Sequence, residues 1–211
     1  MSATFKASLE TTISQIIMLN CLRYVVRKFR SANSQLKAFC ATTICYTNAL
    51  GNPLISIGAS CTFGRGVSLI ATDGGSILLG CRVSLADGVQ IVTQGGRIDI
   101  KDDVFIGVGS IIVCRESVEI GHDALIAEYV VIRDQDHRTD SRPIRLAGFN
   151  SSPIRIGNDV WIGCKATVLR GSSIGDRCVI GAHALVKSTI LEDMLAVGVP
   201  AHVIRSRREI R

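Results

Sequence analysis

The chain has 211 residues, with 24 Lys and Arg against 18 Asp and Glu, a net charge of +6 and a pI near 9.0. That length fits a single domain, and an aromatic share of 5% leaves too few rings for a base-stacking surface, so the charge does not point to nucleic acid. The eight cysteines form no CxxC pair and no Cys–His spacing of a zinc site, which indicates reduced thiols, a cytoplasmic setting and no metal.

Residues 1–52 differ in character from the rest. Apolar residues at Ile13, Ile16, Ile17, Val25, Val26 and Phe29, with Arg23, Arg27, Lys28 and Arg30 near the end, predict an α-helical segment over about 9–30. No basic stretch precedes the apolar one, as a signal peptide would require, and Gln15, Asn20 and Arg23 interrupt it too early for a membrane span. Two roles remain open: a helix covering part of this chain or a neighbouring subunit, and a basic amphipathic helix in peripheral contact with a membrane. Thr42 to Pro53 reads as a lead-in.

From Ile57 onward every sixth residue is apolar. The slots run Ile57, Phe63, Leu69; Leu79, Leu85, Ile91; Ile100, Ile106, Ile112; Ile120, Ile126, Ile132; Ile156, Ile162, Val168; and Ile174, Ile180, Val186. Six is even, so the slots share strand parity, whereas a 3.6-residue helix would drift off register. A fixed hexad predicts a parallel β-solenoid whose three-turn coils form a triangular prism over about 53–204. The residue after a slot is Gly in nine cases, for unusual dihedrals or for close approach of neighbouring backbone. Four residues after a slot the side chain is usually small or branched (Cys61, Val67, Val83 and so on), which marks a tight corner.

Successive coils start at 57, 79, 100, 120, 156 and 174, so every excess over 18 residues falls in the third turn of a coil. Three excesses are bulge-sized, near Asp73-Gly74-Gly75, Gly95-Gly96 and Arg115-Glu116. The fourth is a full 18 residues and runs through about 133–155. A long loop leaving a regular scaffold is where chemistry concentrates.

That loop holds Arg133-Asp134-Gln135-Asp136-His137-Arg138, and Trp161 follows in Asn158-Asp159-Val160-Trp161-Ile162-Gly163. Further on come Ala196-Val197-Gly198-Val199-Pro200-Ala201 and a basic tail over 205–211. On these motifs the chain resembles the left-handed β-helix (hexapeptide-repeat) acyltransferases. It is most similar to the sugar O-acetyltransferases, including those of capsule, O-antigen and exopolysaccharide synthesis. The left hand of the helix comes from the resemblance alone, as hexads do not set it.

The resemblance implies acetyl-CoA as acyl donor, a carbohydrate acceptor, a homotrimer with sites between subunits, and His137 as catalytic base. A near-neutral imidazole suits removal of a hydroxyl proton. Asp134 and Asp136 are both close enough in sequence to support the ring, and the choice between them stays open. Trp161, read as a corner residue before inward Ile162, would line the acyl or acceptor pocket. The residues that match the family's cofactor contacts are Trp161, Cys164, Ala182, Lys187, Ser188 and Arg205, with Arg207 and Arg208 as further cations for phosphates. Lys187-Ser188 stands where the family often has Thr-Lys, which moves the cation by one position. His183 and His202 fall in late coils near the same groove, and His122 is expected to face outward.

Other functions fit less well. A γ-type carbonic anhydrase needs two zinc-binding His five residues apart, and none of the four His has that spacing. A nucleotidyltransferase would need a further Gly-rich domain. Transfer to a serine-type hydroxyl or an amino-sugar amine uses the same base and thioester and remains an alternative, as does a non-catalytic trimeric scaffold.

Overall fold

The computed structural model describes residues 43–46, 54–140 and 143–209; the helix expected near 9–30 lies outside the described residues. The compact unit Cys40–Arg211 is a parallel β-solenoid. Its three walls are two seven-stranded sheets and one eight-stranded sheet, and each coil contributes one strand to each wall.

The hexad slots set the register. Ile57 pairs with Leu79, Leu79 with Ile100, Ile100 with Ile120, Ile120 with Ile156 and Ile156 with Ile174 in what we call wall B. Leu85, Ile106, Ile126, Ile162 and Ile180 stack likewise in wall C, each no more than 1% exposed. Leu69, Ile91, Ile112, Ile132, Val168 and Val186 do so in wall A. Full burial of each such side chain contributes about 1.5–3 kcal/mol.

The stack extends beyond the hexads at both ends. The strand Thr43–Tyr46 pairs in parallel with Ser68–Ala71, so wall A begins ahead of the first complete coil. At the other end Ile190 and Ala196 continue the columns. The chain then turns back, and His202–Ser206 runs antiparallel to Met194–Val197.

The glycines after the slots serve close approach, not unusual dihedrals. A Cβ on Gly121 would lie 2.6 Å from the Gly157 carbonyl, and one on Gly58 2.3 Å from the Gly80 oxygen. The left-handed dihedral falls two residues later, at corner residues such as Ser60, Arg82, Asp103, Asp123, Asp159 and Arg177. The small residue next to it, four after the slot, points inward; Val83, Val104 and Ala124 are at most 1% exposed. Corner carboxylates and amides also bridge coils. Asp102 accepts from the Cys81 N–H, Asn158 from the His122 N–H and Asp176 from the Asn158 N–H, at 2.8–2.9 Å.

The basic tail is pinned to these corners. Arg207 bonds the Asp159 carboxylate at 2.9 Å, and Arg208 bonds Asp193 at 2.6 Å, which Arg177 also grips at 2.7 Å. Bonds from Arg177, then Arg208, hold the Asp193 carboxyl at about 2, below the usual carboxylate range.

Candidate active site

The 18-residue excursion leaves the end of wall A and folds back on itself. Gln135–His137 forms an antiparallel ladder with Phe149–Ser151, placing Gln135 opposite Ser151, Asp136 opposite Asn150 and His137 opposite Phe149. The Arg138 N–H donates to Gly148 O and the Ser152 N–H to Asp134 O, both at 3.0 Å, which closes the hairpin at either end. A 3₁₀ turn at Ile144–Leu146 lies at its far end, with both of those residues exposed.

Strand parity divides the hairpin. Gln135, His137, Phe149 and Ser151 share one face, and Asp136 and Asn150 the other. On the first face the His137 ring packs on Phe149, with centroids 4.4 Å apart and planes tilted by 37°. The Arg115 guanidinium lies 4.1 Å from the Phe149 centroid, within cation–π range. Arg115 also donates to the Gln94 side-chain oxygen at 3.2 Å, so two successive coils and the loop of the next meet there. His137 itself is exposed, and its ring makes no hydrogen bond to another described residue.

Neither aspartate supports that ring. Asp134 is fully buried and serves the corner below: it accepts the N–H groups of Arg115 at 2.8 Å, Glu116 at 2.7 Å and Ser117 at 3.0 Å. These are the residues of the bulge that the coil spacing places near Arg115-Glu116. The Cys114 thiol lies 3.3 Å from the same carboxylate, and burial, with that charge, pushes its pKa up to about 12. Asp136 projects from the opposite face to His137 and pairs with Arg170 at 2.6 Å. Reasoning from sequence proximity alone could not separate the faces of an unforeseen hairpin.

The predicted cofactor residues occupy a different part of the prism. Trp161 is a strand residue of wall C, not a corner residue: its neighbour Ile162 fills the interior, so the indole faces outward, 51% exposed. It pairs with Leu125 and Val179, and Leu125 with Phe105, giving an exposed apolar row of Phe105, Leu125 and Trp161. Cys164 and Ala182 stack at the corner following wall C, where the His183 N–H donates to Cys164 O at 2.9 Å. Lys187 and Ser188 are exposed after the last strand of wall A. Arg205 pairs in register with Leu195 on the antiparallel strand and is exposed. Arg207 and Arg208 are paired with Asp159 and Asp193, whereas Lys187 and Arg205 make no ion pair among the described residues. His122, His183 and His202 are all exposed.

Sequence reasoning missed Arg115, Phe149, Gln135 and Arg170. Among the described residues, the Arg115 Nε and the Gln135 Oε1 are buried without a hydrogen-bond partner. Neither residue occupies a hexad slot, so the repeat carries no signal for them. No group of side chains suited to a metal ion occurs among the described residues, and none of their helices is long and apolar enough to cross a membrane.

Among the described residues, one long loop leaves a parallel solenoid built on a six-residue repeat, the architecture of a hexapeptide-repeat protein. Residues 153–188 match the family described as bacterial transferase hexapeptide (six repeats), and residues 97–132 match the hexapeptide repeat of succinyl-transferase. The chain is 38% identical over 162 residues to a probable acetyltransferase of Mycobacterium tuberculosis, covering 75% of this chain and 54% of that protein. It is 35% identical over 141 residues to the putative lipopolysaccharide biosynthesis O-acetyl transferase WbbJ of Escherichia coli, covering 62% of this chain and 72% of that protein. To the galactoside O-acetyltransferase of Escherichia coli it is 36% identical, covering 54% of this chain and 56% of that protein. The chain thus spans little more than half the length of two of these relatives. Among solved structures, AntD, an N-acyltransferase from Bacillus cereus, shares the fold at a TM-score of 0.61 and 18% identity, covering 72% of this chain and 83% of that one. The chain belongs to the hexapeptide-repeat transferase family.

Proposed function

We propose that the chain is an acetyl-CoA-dependent O-acetyltransferase acting on a sugar hydroxyl, with a surface polysaccharide or its precursor as the acceptor class. The observation that carries this reading is His137, exposed at the base of the one long loop in a transferase-family solenoid. Relatives named for lipopolysaccharide and galactoside O-acetylation support the acceptor class.

In the proposed reaction the His137 imidazole takes the proton of the acceptor hydroxyl as that oxygen attacks the thioester carbonyl. The C–S bond then breaks, and the imidazolium returns the proton to the leaving sulfur. A base of this kind typically contributes about 10²–10⁴-fold. Trp161, Cys164 and Ala182 would line the donor arm, and Lys187, Ser188 and Arg205 would meet its phosphates.

We read the coil as left-handed and the assembly as a trimer. The loop carrying His137 leaves after wall A, while Trp161, Cys164 and Ala182 belong to wall C and the corner following it. A site shared between copies brings such separated halves together, and the exposed row Phe105, Leu125 and Trp161 is a fitting contact surface for a second copy. Calorimetric titration with acetyl-CoA tests the donor assignment. Binding near one site per chain supports it, and no binding at millimolar acetyl-CoA overturns it in favour of a non-catalytic scaffold.

A further inference from the structure

We infer that Phe149, itself gripped by Arg115, is the positioning residue that fixes the His137 ring. This rests on His137 being the base. A histidine in that role ordinarily has its ring oriented by a hydrogen-bonded carboxylate or carbonyl. Here both nearby carboxylates are engaged elsewhere, Asp134 with three backbone N–H groups and Asp136 with Arg170. What does touch the ring is Phe149, directly opposite in the ladder and 4.4 Å away between centroids.

The second contact explains why Phe149 can do this from an otherwise exposed hairpin. Arg115 sits on the solenoid, where its own backbone N–H is held by buried Asp134 and its side chain by Gln94. Its guanidinium lies 4.1 Å from the Phe149 centroid. Its buried Nε has no hydrogen-bond acceptor among the described residues, so the ring face is the contact that meets this guanidinium beside Gln94. The order of support therefore runs from the rigid corner to Arg115, to Phe149, to His137. The bulge near Arg115-Glu116 thereby acquires a purpose: it brings Arg115 to the loop.

This is orientation by ring packing, so it depends on a flat ring at position 149 and a cation at 115. Misplacing a reacting group by even about 1 Å can cost up to ~10²-fold in rate. The test uses the full chain, with Phe149→Leu, Phe149→Tyr, Arg115→Met and His137→Ala. One readout is CoA release from acetyl-CoA with water as acceptor. Phe149→Leu should lower kcat about tenfold with KM for acetyl-CoA unchanged, Phe149→Tyr should restore it, and Arg115→Met should fall between. The other is NMR of the His137 ring protons, assigned by their loss in His137→Ala. They should lie upfield in the wild type through the Phe149 ring current, and in Phe149→Leu they should move to the position of an exposed histidine. Unchanged kcat and unchanged shifts in Phe149→Leu overturn the inference. If His137→Ala releases CoA as fast as the wild type, the base assignment fails, while the ring shifts still report whether Phe149 holds the ring.

Discussion

The Asp134 carboxylate accepts the backbone N–H of Glu116 at 2.7 Å, and with it those of Arg115 and Ser117. The residue that begins the loop thus fastens the corner of the coil beneath it. Two residues on, Asp136 performs a looser task, meeting Arg170 across 34 residues of sequence on an exposed face.

The two aspartates should therefore respond differently to substitution. Asp134→Ala leaves three N–H groups without their acceptor and should cost about 2–4 kcal/mol. Asp136→Asn removes an exposed ion pair and should cost ~1 kcal/mol or less. Urea unfolding at neutral pH gives both numbers. Equal costs would mean that Asp134 does not brace the corner.

Glycine after a slot should be irreplaceable, whereas the left-handed corner should tolerate change. Gly121→Ala puts a Cβ 2.6 Å from the Gly157 carbonyl carbon and oxygen, backbone atoms that cannot swing aside as the neighbouring Asn158 side chain could. It should destabilise the solenoid by about 3 kcal/mol or more. Asp123 has φ near +58°, so Asp123→Gly relieves a left-handed residue and should leave stability within about 1 kcal/mol. Thermal unfolding of the pair decides the matter, and a benign Gly121→Ala would contradict the close-approach account.

Acid should release the tail. The Asp193 carboxyl is held at about 2 by Arg177 and Arg208, below its unfolded value of roughly 3.9. A lowered folded value stabilises the native state above the unfolded pKa, and that contribution disappears as pH falls from about 4 through about 2. Wild type should exceed Asp193→Asn in urea midpoint at pH 7, and the gap should close across that interval. A gap independent of pH would show that the carboxylate's charge is not what holds Arg177 and Arg208.

The scaffold was legible because its physics repeats. Each slot from Ile57 to Val186 must bury one apolar side chain above another, so a period in sequence becomes a register in space. The loop obeys no period. Its length and His137 could be read, but the ladder that sets His137 against Phe149 joins residues 12 apart, across a connection longer than the roughly two- to five-residue turns by which a hairpin is read from sequence. Asp134 and Asp136 look equivalent in sequence, but Asp134 precedes the hairpin strand and is buried against the corner, while alternation within Gln135–His137 turns Asp136 away from His137, and the repeat foretells neither. Trp161 was misread as a corner residue for a related reason. The left-handed corner residue stands three after a slot, whereas Trp161 stands one before Ile162, on the outer face of a strand. The segment before Thr43 has a helical pattern but no repeat to anchor it, and it falls outside the described residues.

The central claim is that His137 is the base for acyl transfer. Its most direct test is the rate of acetyl transfer from acetyl-CoA by His137→Ala, with acetyl-CoA affinity measured on the same preparation. The account predicts unchanged binding and a rate lower by about 10²–10⁴-fold. A variant that binds acetyl-CoA and turns over at the wild-type rate would contradict it.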